Sequence, residues 1–128
     1  MTAPRRAVLK VLGESGVPLT VAEIHARVGQ RRVNIVSVYR TVNLLAAEGL
    51  LCATDSPHGG QRYELGEQFI GHHHHLICQS CGQIEKFEGC PLTDEVLARL
   101  NQRVRHSRLF RVTDHEIRLL GLCGKCNP

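Results

Sequence analysis

Four histidines and two cysteines lie within ten positions, 72–81, of this 128-residue sequence. The cysteine pair Cys78-x-x-Cys81 has the spacing at which two thiolates bind one tetrahedral zinc ion from a tight turn. A second pair with the same spacing, Cys123-x-x-Cys126, lies near the end of the sequence. Together they predict a closed four-thiolate zinc site, in preference to a disulfide framework, a redox Cys-x-x-Cys or an artificial histidine tag.

The histidine run is a second indication of metal binding. The apolar residues after it predict that the run continues into a β-strand, in which alternate side chains leave on opposite faces. His72 and His74 then point to one side, and His73 and His75 to the other. One tetrapeptide could therefore serve two metal sites. The alternative is a solvated polar loop, which four consecutive histidines beside a thiolate site make less favoured.

Length and composition limit the class of protein. A chain of 128 residues allows one ordinary domain or two small ones, and small domains often need a metal to supplement a limited core. The N-terminus leads into an amphipathic pattern rather than an apolar signal core, and no run reaches membrane-spanning length. We therefore expect a cytoplasmic protein with no membrane partner, a compartment in which paired thiols are more often metal ligands than disulfides.

The net charge of +4 is distributed unevenly. Residues 1–50 hold seven Lys or Arg residues against three acidic ones, whereas residues 51–128 hold nine of each. This asymmetry predicts an N-terminal part that binds a polyanion, joined to a neutral sensing or assembly domain.

Local signals predict the N-terminal elements. A first helix is expected over residues 4–14, a short second one begins at the capping box Thr20-Val21-Ala22-Glu23, and a third runs from the cap Asn34 to about residue 48. A basic turn at 30–33 precedes the third helix. Two strands, at 50–54 and 61–65, follow it. Three short helices and a hairpin form a winged helix-turn-helix domain, whose third helix lies in the DNA major groove.

Four residues of this part are candidate DNA contacts. Ser37, Tyr39 and Arg40 lie largely outside the apolar stripe of the third helix, and Arg5 belongs to the first helix, which is expected to reach phosphates. The alternative is a small helical domain whose polar face is merely solvated. The charge asymmetry favours DNA binding.

The C-terminal half predicts a small α+β domain. Residues 83–88 are expected to form a strand, residues 92–106 a helix, and residues 110–123 a long strand that returns to the second thiol pair. His115 shares the parity of Ile117 and Leu119 in that strand, so it is expected to face part of the core.

The sequence resembles the ferric uptake regulator family of metal-dependent repressors over nearly its whole length. The segments that carry this resemblance are residues 2–5 with 8–9, 37–42, 62–65, 72–82, 112–115 and 121–126, of which the histidine-rich 72–82 is the most specific. The resemblance implies a homodimer that binds double-stranded DNA at an AT-rich palindromic operator upstream of metal-uptake genes. It also implies an α+β fold: a winged helix-turn-helix domain (1–66), a hinge (67–75) and a small α/β dimerisation domain with a structural zinc site (76–128).

The resemblance further implies which residues bind metal. The structural zinc site takes the four paired cysteines. The sensing site at the hinge takes two histidines and a carboxylate: His73, His75 and Glu64. A third site takes His72, His74 and His115, with an acidic ligand from the following helix, Asp94 or Glu95.

Two departures from the family pattern bear on the sensed metal. The histidine that iron and peroxide sensors offer before the second helix is replaced here by Pro18 or its neighbours. Cys52 instead occupies the position of a hinge ligand in zinc-responsive members, and a thiolate among imidazoles favours zinc over iron or manganese. Against this, zinc-responsive members usually carry another cysteine after the tyrosine of the second hairpin strand, Tyr63, where this chain reads Glu64-Leu65-Gly66-Glu67. Cys52 could instead be a small buried hydrophobe.

The leading hypothesis is a zinc-responsive (Zur-type) repressor with a structural Zn²⁺ and a regulatory metal, Zn²⁺ first, with Fe²⁺ or Mn²⁺ as the alternatives. An iron-, manganese- or peroxide-responsive regulator of the same family is the runner-up. A hydrolytic zinc enzyme is not favoured, because the paired thiols make a closed set and no His-Glu-x-x-His motif occurs. The basic charge of the third helix also argues against a metal chaperone or storage module.

Overall fold

The computed structural model describes residues 2–29 and 33–128 and contains five helices and two small sheets within them, one antiparallel and one mixed. In chain order the elements are α1 (Ala3–Glu14), α2 (Val21–Val28), α3 (Ile35–Ala47), β1 (Leu51–Asp55), β2 (Gln61–Leu65), α4 (Glu67–Ile70), β3 (His73–Cys78), β4 (Ile84–Glu88), α5 (Asp94–Arg108) and β5 (Arg118–Gly121). The α+β class predicted from the sequence is confirmed. Within the described residues, no helix combines the length and the apolar character needed to cross a bilayer.

Side-chain caps fix where the N-terminal helices begin. The hydroxyl of Thr20 accepts the backbone N–H of Glu23 at 3.1 Å, and the carboxylate of Glu23 accepts the N–H of Thr20 at 3.3 Å, which completes the predicted capping box. The amide oxygen of Asn34 accepts the N–H of Ser37 at 2.9 Å, so α3 begins at the next residue, Ile35. Gly49, with a φ of 77°, follows the end of α3.

The first three helices pack with the hairpin of β1 and β2, here called the wing. Their buried apolar residues form one core: Val8, Val11, Leu12, Leu19, Val21, Ile24, Val38, Val42, Leu45, Leu51 and Tyr63. Leu19 pairs with Tyr63 through two backbone hydrogen bonds of 2.9 and 2.7 Å, which attaches the wing to the segment between α1 and α2. An ion pair of 2.8 Å between Arg62 and Glu23 adds a second attachment.

The C-terminal sheet has the order β4-β3-β5, with β3 in the centre. Strand β4 is antiparallel to β3, with His75 opposite Lys86, and β5 is parallel to β3, with Leu76 opposite Leu119. Few side chains are buried here. No side chain of α5 or β5 is buried.

The last strand is much shorter than predicted, because only Arg118–Gly121 pairs with β3 and residues 110–117 form no strand. Two local side-chain contacts occupy the backbone of that segment: Asn101 accepts the N–H of Val112 at 3.2 Å, and Asp114 accepts the N–H of His115 at 2.8 Å. Such contacts compete with strand pairing.

The division into residues 1–66, 67–75 and 76–128 stays a prediction. The short helix α4 occupies the first part of the expected hinge, and β3 begins within it. The basic turn expected at 30–33 lies mostly outside the described residues.

Candidate metal centres

The four paired thiols meet at one end of the C-terminal sheet. Cys78 and Cys81 come from the turn between β3 and β4, whereas Cys123 and Cys126 come from the turn after β5, and all four sulfur atoms lie within 4.8 Å of one another. The Sγ atoms of Cys81 and Cys123 are 3.7 Å apart, too far for a disulfide and close to the ~3.8 Å between two thiolates on a tetrahedral zinc ion.

Backbone N–H groups lower the pKa of two of these four thiols, Cys78 and Cys123. The pKa of Cys78 is lowered to about 6 by the backbone N–H groups of Cys81 and Cys123. The pKa of Cys126 is raised to about 11, since the hydroxyl of Ser80 favours its thiolate but the neighbouring thiols outweigh that effect. Four crowded sulfur atoms cannot all ionise without a counter-charge, and a divalent cation would supply it.

A second cluster joins the wing to the C-terminal sheet. A single carboxylate oxygen of Glu64, on β2, lies 2.9 Å from Nε2 of His73 and 2.8 Å from Nε2 of His75, both on β3. Burial alone would raise the pKa of Glu64, but the hydrogen bonds from His75 and His73 outweigh it and lower the pKa. The carboxylate is therefore ionised, and it draws together two imidazoles that share one face of β3.

Cys52 lies beside this cluster but is not one of its closely spaced donors. It stands directly opposite Glu64 in the wing hairpin and lines the same pocket as His73 and His75. The residue is exposed. Although the residue as a whole is exposed, partial desolvation of its sulfur raises the pKa of the thiol, and the charges of Glu64 and Glu67 raise it further, so a cation would be needed to favour the thiolate.

A third cluster lies on the opposite face of β3 and just before it. His72, His74, His115 and Cys90 each offer one donor atom within 4.8 Å of the others. The Nε2 atoms of His72 and His74 are 3.1 Å apart, and the Sγ atom of Cys90 is 3.2 Å from Nε2 of His115. His74 is buried, and its pKa is lowered by burial and by the neighbouring histidines, so it is a neutral imidazole. The backbone N–H of Ile117 donates to its Nδ1 at 3.2 Å.

The acidic ligand expected for the third site does not belong to this cluster. Asp94 and Glu95 form the exposed first turn of α5, where Glu95 pairs with Arg99 at 2.6 Å. Cys90, in the loop between β4 and α5, is there instead. Cys90 is the one cysteine of the sequence for which no role was predicted.

The expected DNA contacts come from α1 and α3 and differ in exposure. Tyr39 and Arg40 are exposed on α3, Ser37 is half-buried one turn earlier, and Arg5 is half-buried in α1. The apolar Val36, 52% exposed, lies at the same end of α3. An exposed tyrosine, arginine and valine on one short helix form a surface that can contact both base edges and phosphates.

The chain combines a winged helix-turn-helix domain with three clusters of side chains that can bind metal. It is a winged-helix protein with candidate metal centres. The model of the ferric uptake regulator family matches residues 1–120, and the chain belongs to that family of metal-responsive transcription regulators. The ferric uptake regulation protein of Campylobacter jejuni is 32% identical over an alignment of 130 positions, which covers 98% of this chain and 78% of that protein.

Two solved structures are similar in fold and sequence. The ferric uptake regulator of Helicobacter pylori, described as having three functional metal binding sites, matches with a TM-score of 0.78 and 29% identity over 100% of this chain and 82% of its own. A zinc-bound manganese uptake regulator matches with a TM-score of 0.65 and 30% identity over 96% of this chain and 89% of its own.

Proposed function

We propose that this protein is a cytoplasmic, metal-dependent transcriptional repressor that binds DNA as a homodimer and controls metal-uptake genes, with zinc as the sensed metal. The observation that carries the proposal is the contact of Glu64, on the wing, with both His73 and His75, on the C-terminal sheet. An ion bound by these three side chains would connect the DNA-binding part to the rest of the chain. Metal occupancy would then control how the wing and α3 are presented to DNA.

The coupling needed is modest. An ion can favour DNA binding only by binding more tightly to the DNA-competent arrangement than to the others. A ~100-fold gain in operator affinity corresponds to about 2.7 kcal/mol of coupling, within the usual allosteric range. The guanidinium of Arg118 on β5 donates to the backbone carbonyl of Asp55 on the wing at 2.9 Å. The wing therefore contacts the C-terminal sheet at two places, through Asp55 and through Glu64, and an ion at Glu64 would strengthen an existing contact.

The exposed end of α3 supports an AT-rich operator. Val36 offers an apolar surface for a thymine methyl group, and Tyr39 and Arg40 can reach bases and phosphates. A symmetric dimer presents two such helices, so the operator is expected to be a palindrome.

Cys52 is the argument for zinc. Glu64, His73 and His75 supply three donors, and a tetrahedral site needs a fourth. Cys52 lies opposite Glu64 on the neighbouring strand and borders the same pocket, so it is the thiol available as the fourth donor. Thiolate and imidazole together favour zinc.

The second candidate is an iron-, manganese- or peroxide-responsive regulator. It is favoured by the donors that are closest together, two histidines and one carboxylate, because such a set with open positions is typical of ferrous iron. In this case Cys52 would not bind the sensed metal.

The test is operator affinity titrated against buffered free Zn²⁺, Fe²⁺ and Mn²⁺ for the wild type, Cys52→Ala and Cys52→His. We expect zinc to give the tightest DNA binding in the wild type. Cys52→His should retain part of the zinc response, because imidazole is also a good zinc ligand, and Cys52→Ala should lose most of it. A Cys52→Ala response equal to that of the wild type would leave Cys52 without a role and favour iron or manganese.

A further inference from the structure

The cluster on the other face of β3 differs in chemistry from the hinge cluster. Among the described residues, its closely spaced donors are the three imidazoles of His72, His74 and His115 and the thiol of Cys90, with no carboxylate. These donors come from three places: β3 and the residue before it, the loop between β4 and α5, and the segment before β5.

Their spacing fits one tetrahedral ion. At the usual zinc bond lengths, two nitrogens are about 3.4 Å apart and a nitrogen and a sulfur about 3.6 Å apart. In the structure the Nε2 atoms of His72 and His74 are 3.1 Å apart, and the Sγ atom of Cys90 is 3.2 Å from Nε2 of His115. These two pairs are within a few tenths of an ångström of the zinc values, and all four donor atoms lie within 4.8 Å of one another. Nδ1 of His74 accepts the N–H of Ile117, so binding an ion through Nε2 requires the other tautomer and the loss of that hydrogen bond.

Orientation and charge agree with this geometry. The carboxylate of Glu67, on α4, lies 3.0 Å from Nδ1 of His72, which holds the ring and leaves Nε2 directed at the cluster. Three neutral imidazoles offset none of the charge of a divalent ion, and the Cys90 thiolate is the anionic donor of the set. Four protein donors leave a tetrahedral ion no open position, which is the property of a structural site.

We propose that His72, His74, Cys90 and His115 form a closed zinc site in which Cys90 is a direct ligand. The thiolate selects Zn²⁺ over Mn²⁺ and Fe²⁺, because soft donors in tetrahedral geometry disfavour the harder ions. The bound zinc fastens the loop before α5 and the segment before β5 to β3. This site does not depend on which metal the hinge senses or on DNA binding.

The experiment measures zinc stoichiometry and affinity in the full-length protein by competition with a chelator. It compares the wild type with Cys90→Ser, Cys90→Asp and a control, His106→Ala, which removes an exposed histidine of α5 outside the three donor clusters. Cys90→Ser should lower the affinity of one zinc per chain by about 100-fold or more, since loss of a mere supporting contact already costs 10- to 100-fold. Cys90→Asp should keep a site whose preference for Zn²⁺ over Mn²⁺ falls by at least about 10-fold. The His106→Ala control should keep the zinc stoichiometry and affinity of the wild type.

Alkylation of the wild-type protein provides a measurement that no folding defect can obscure. After the four-thiolate site is filled, further Zn²⁺ should slow the reaction of Cys90 with iodoacetamide, measured by peptide mapping. Protection of Cys90 that persists in a His73→Ala variant assigns it to this site and not to the hinge. The proposal is overturned if Cys90→Ser keeps the zinc stoichiometry and affinity of the wild type, or if zinc leaves the alkylation rate of Cys90 unchanged.

Discussion

The two halves of this chain are stabilised in different ways. The winged-helix half buries a continuous apolar core drawn from α1, α2, α3 and the wing. In the described residues after the wing, the buried apolar side chains are Ile77, Cys78 and Ile84. Helix α5 and strand β5 instead carry exposed apolar residues, among them Leu100, 42% exposed, and Leu120, 57% exposed.

This difference indicates what each half needs in order to fold. Burial of apolar surface is the main favourable term for a small domain, so the N-terminal half can rely on its own core. The C-terminal half has little such burial, and three donor clusters lie within it or at its edge. We expect its stability to come from bound metal and from the second subunit of the proposed dimer, which would cover the exposed faces of α5 and β5.

The largest expected effect would separate the two halves outright. Cys123→Ser should remove one tightly held zinc per chain, and with it the dimer and the folded C-terminal half, because structural zinc binding contributes on the order of 10 kcal/mol to folding. Hydrogen exchange should show that the core of α1–α3 remains protected. A stable, dimeric and zinc-free variant would contradict both the site and the contrast between the halves.

A matched pair of leucine substitutions tests the difference in apolar burial between the two halves. Leu45→Ala removes a side chain that is 1% exposed in α3, and it should cost about 2–5 kcal/mol in the free energy of unfolding. Leu100→Ala removes an exposed side chain of α5 and should change the unfolding of the isolated subunit by less than about 1 kcal/mol. Denaturant unfolding measures both, and the Leu100 effect should grow with dimer formation. Equal costs at low protein concentration would mean that the C-terminal half has a core of its own.

A hinge substitution should affect the connection between the halves while leaving each one folded. His73→Ala should abolish the dependence of operator affinity on metal, a loss of about 2.7 kcal/mol for a ~100-fold effect, and should keep the structural zinc. The exposed His106 of α5 provides the control, since His106→Ala should respond to metal as the wild type does. Metal-dependent DNA binding that survives in His73→Ala would place the sensor elsewhere.

The smallest effects are expected at the DNA surface. Tyr39→Ala and Arg40→Ala should each weaken operator binding by about 1–3 kcal/mol without changing metal content or dimerisation, because α3 lies in the half that has its own core. Arg103→Ala, on exposed α5, is the matched loss of charge and should leave affinity unchanged. Equal operator affinities in all of these variants would move the recognition surface away from α3.

The N-terminal half could be predicted from sequence more closely than the C-terminal half. The capping box at Thr20 and the cap at Asn34 are local signals, and the structure has both helices beginning within one residue of the expected position. The short β5 could not be predicted in this way, because its length depends on pairing with β3, some 40 residues earlier, and on the competing side-chain contact of Asp114.

The candidate sites were predictable where the donors follow one another in sequence. The alternation of the histidine run requires only a strand, and β3 begins at His73. Cys90 was not predictable, because its histidine neighbours come from a different strand and from a loop 25 residues away. Only the folded chain brings that thiol to those rings.

The four-thiolate site also acts on the unfolded chain. It joins Cys81 to Cys123, 42 positions apart, so an ion held at both ends closes a long loop. A covalent cross-link over such a loop removes about 4 kcal/mol of chain entropy from the unfolded state. Zinc is a cross-link of this kind that can be released. When the ion dissociates, the unfolded chain regains the conformational entropy that the closed loop had removed. The lifetime of the folded C-terminal half would then be set by the rate at which zinc leaves.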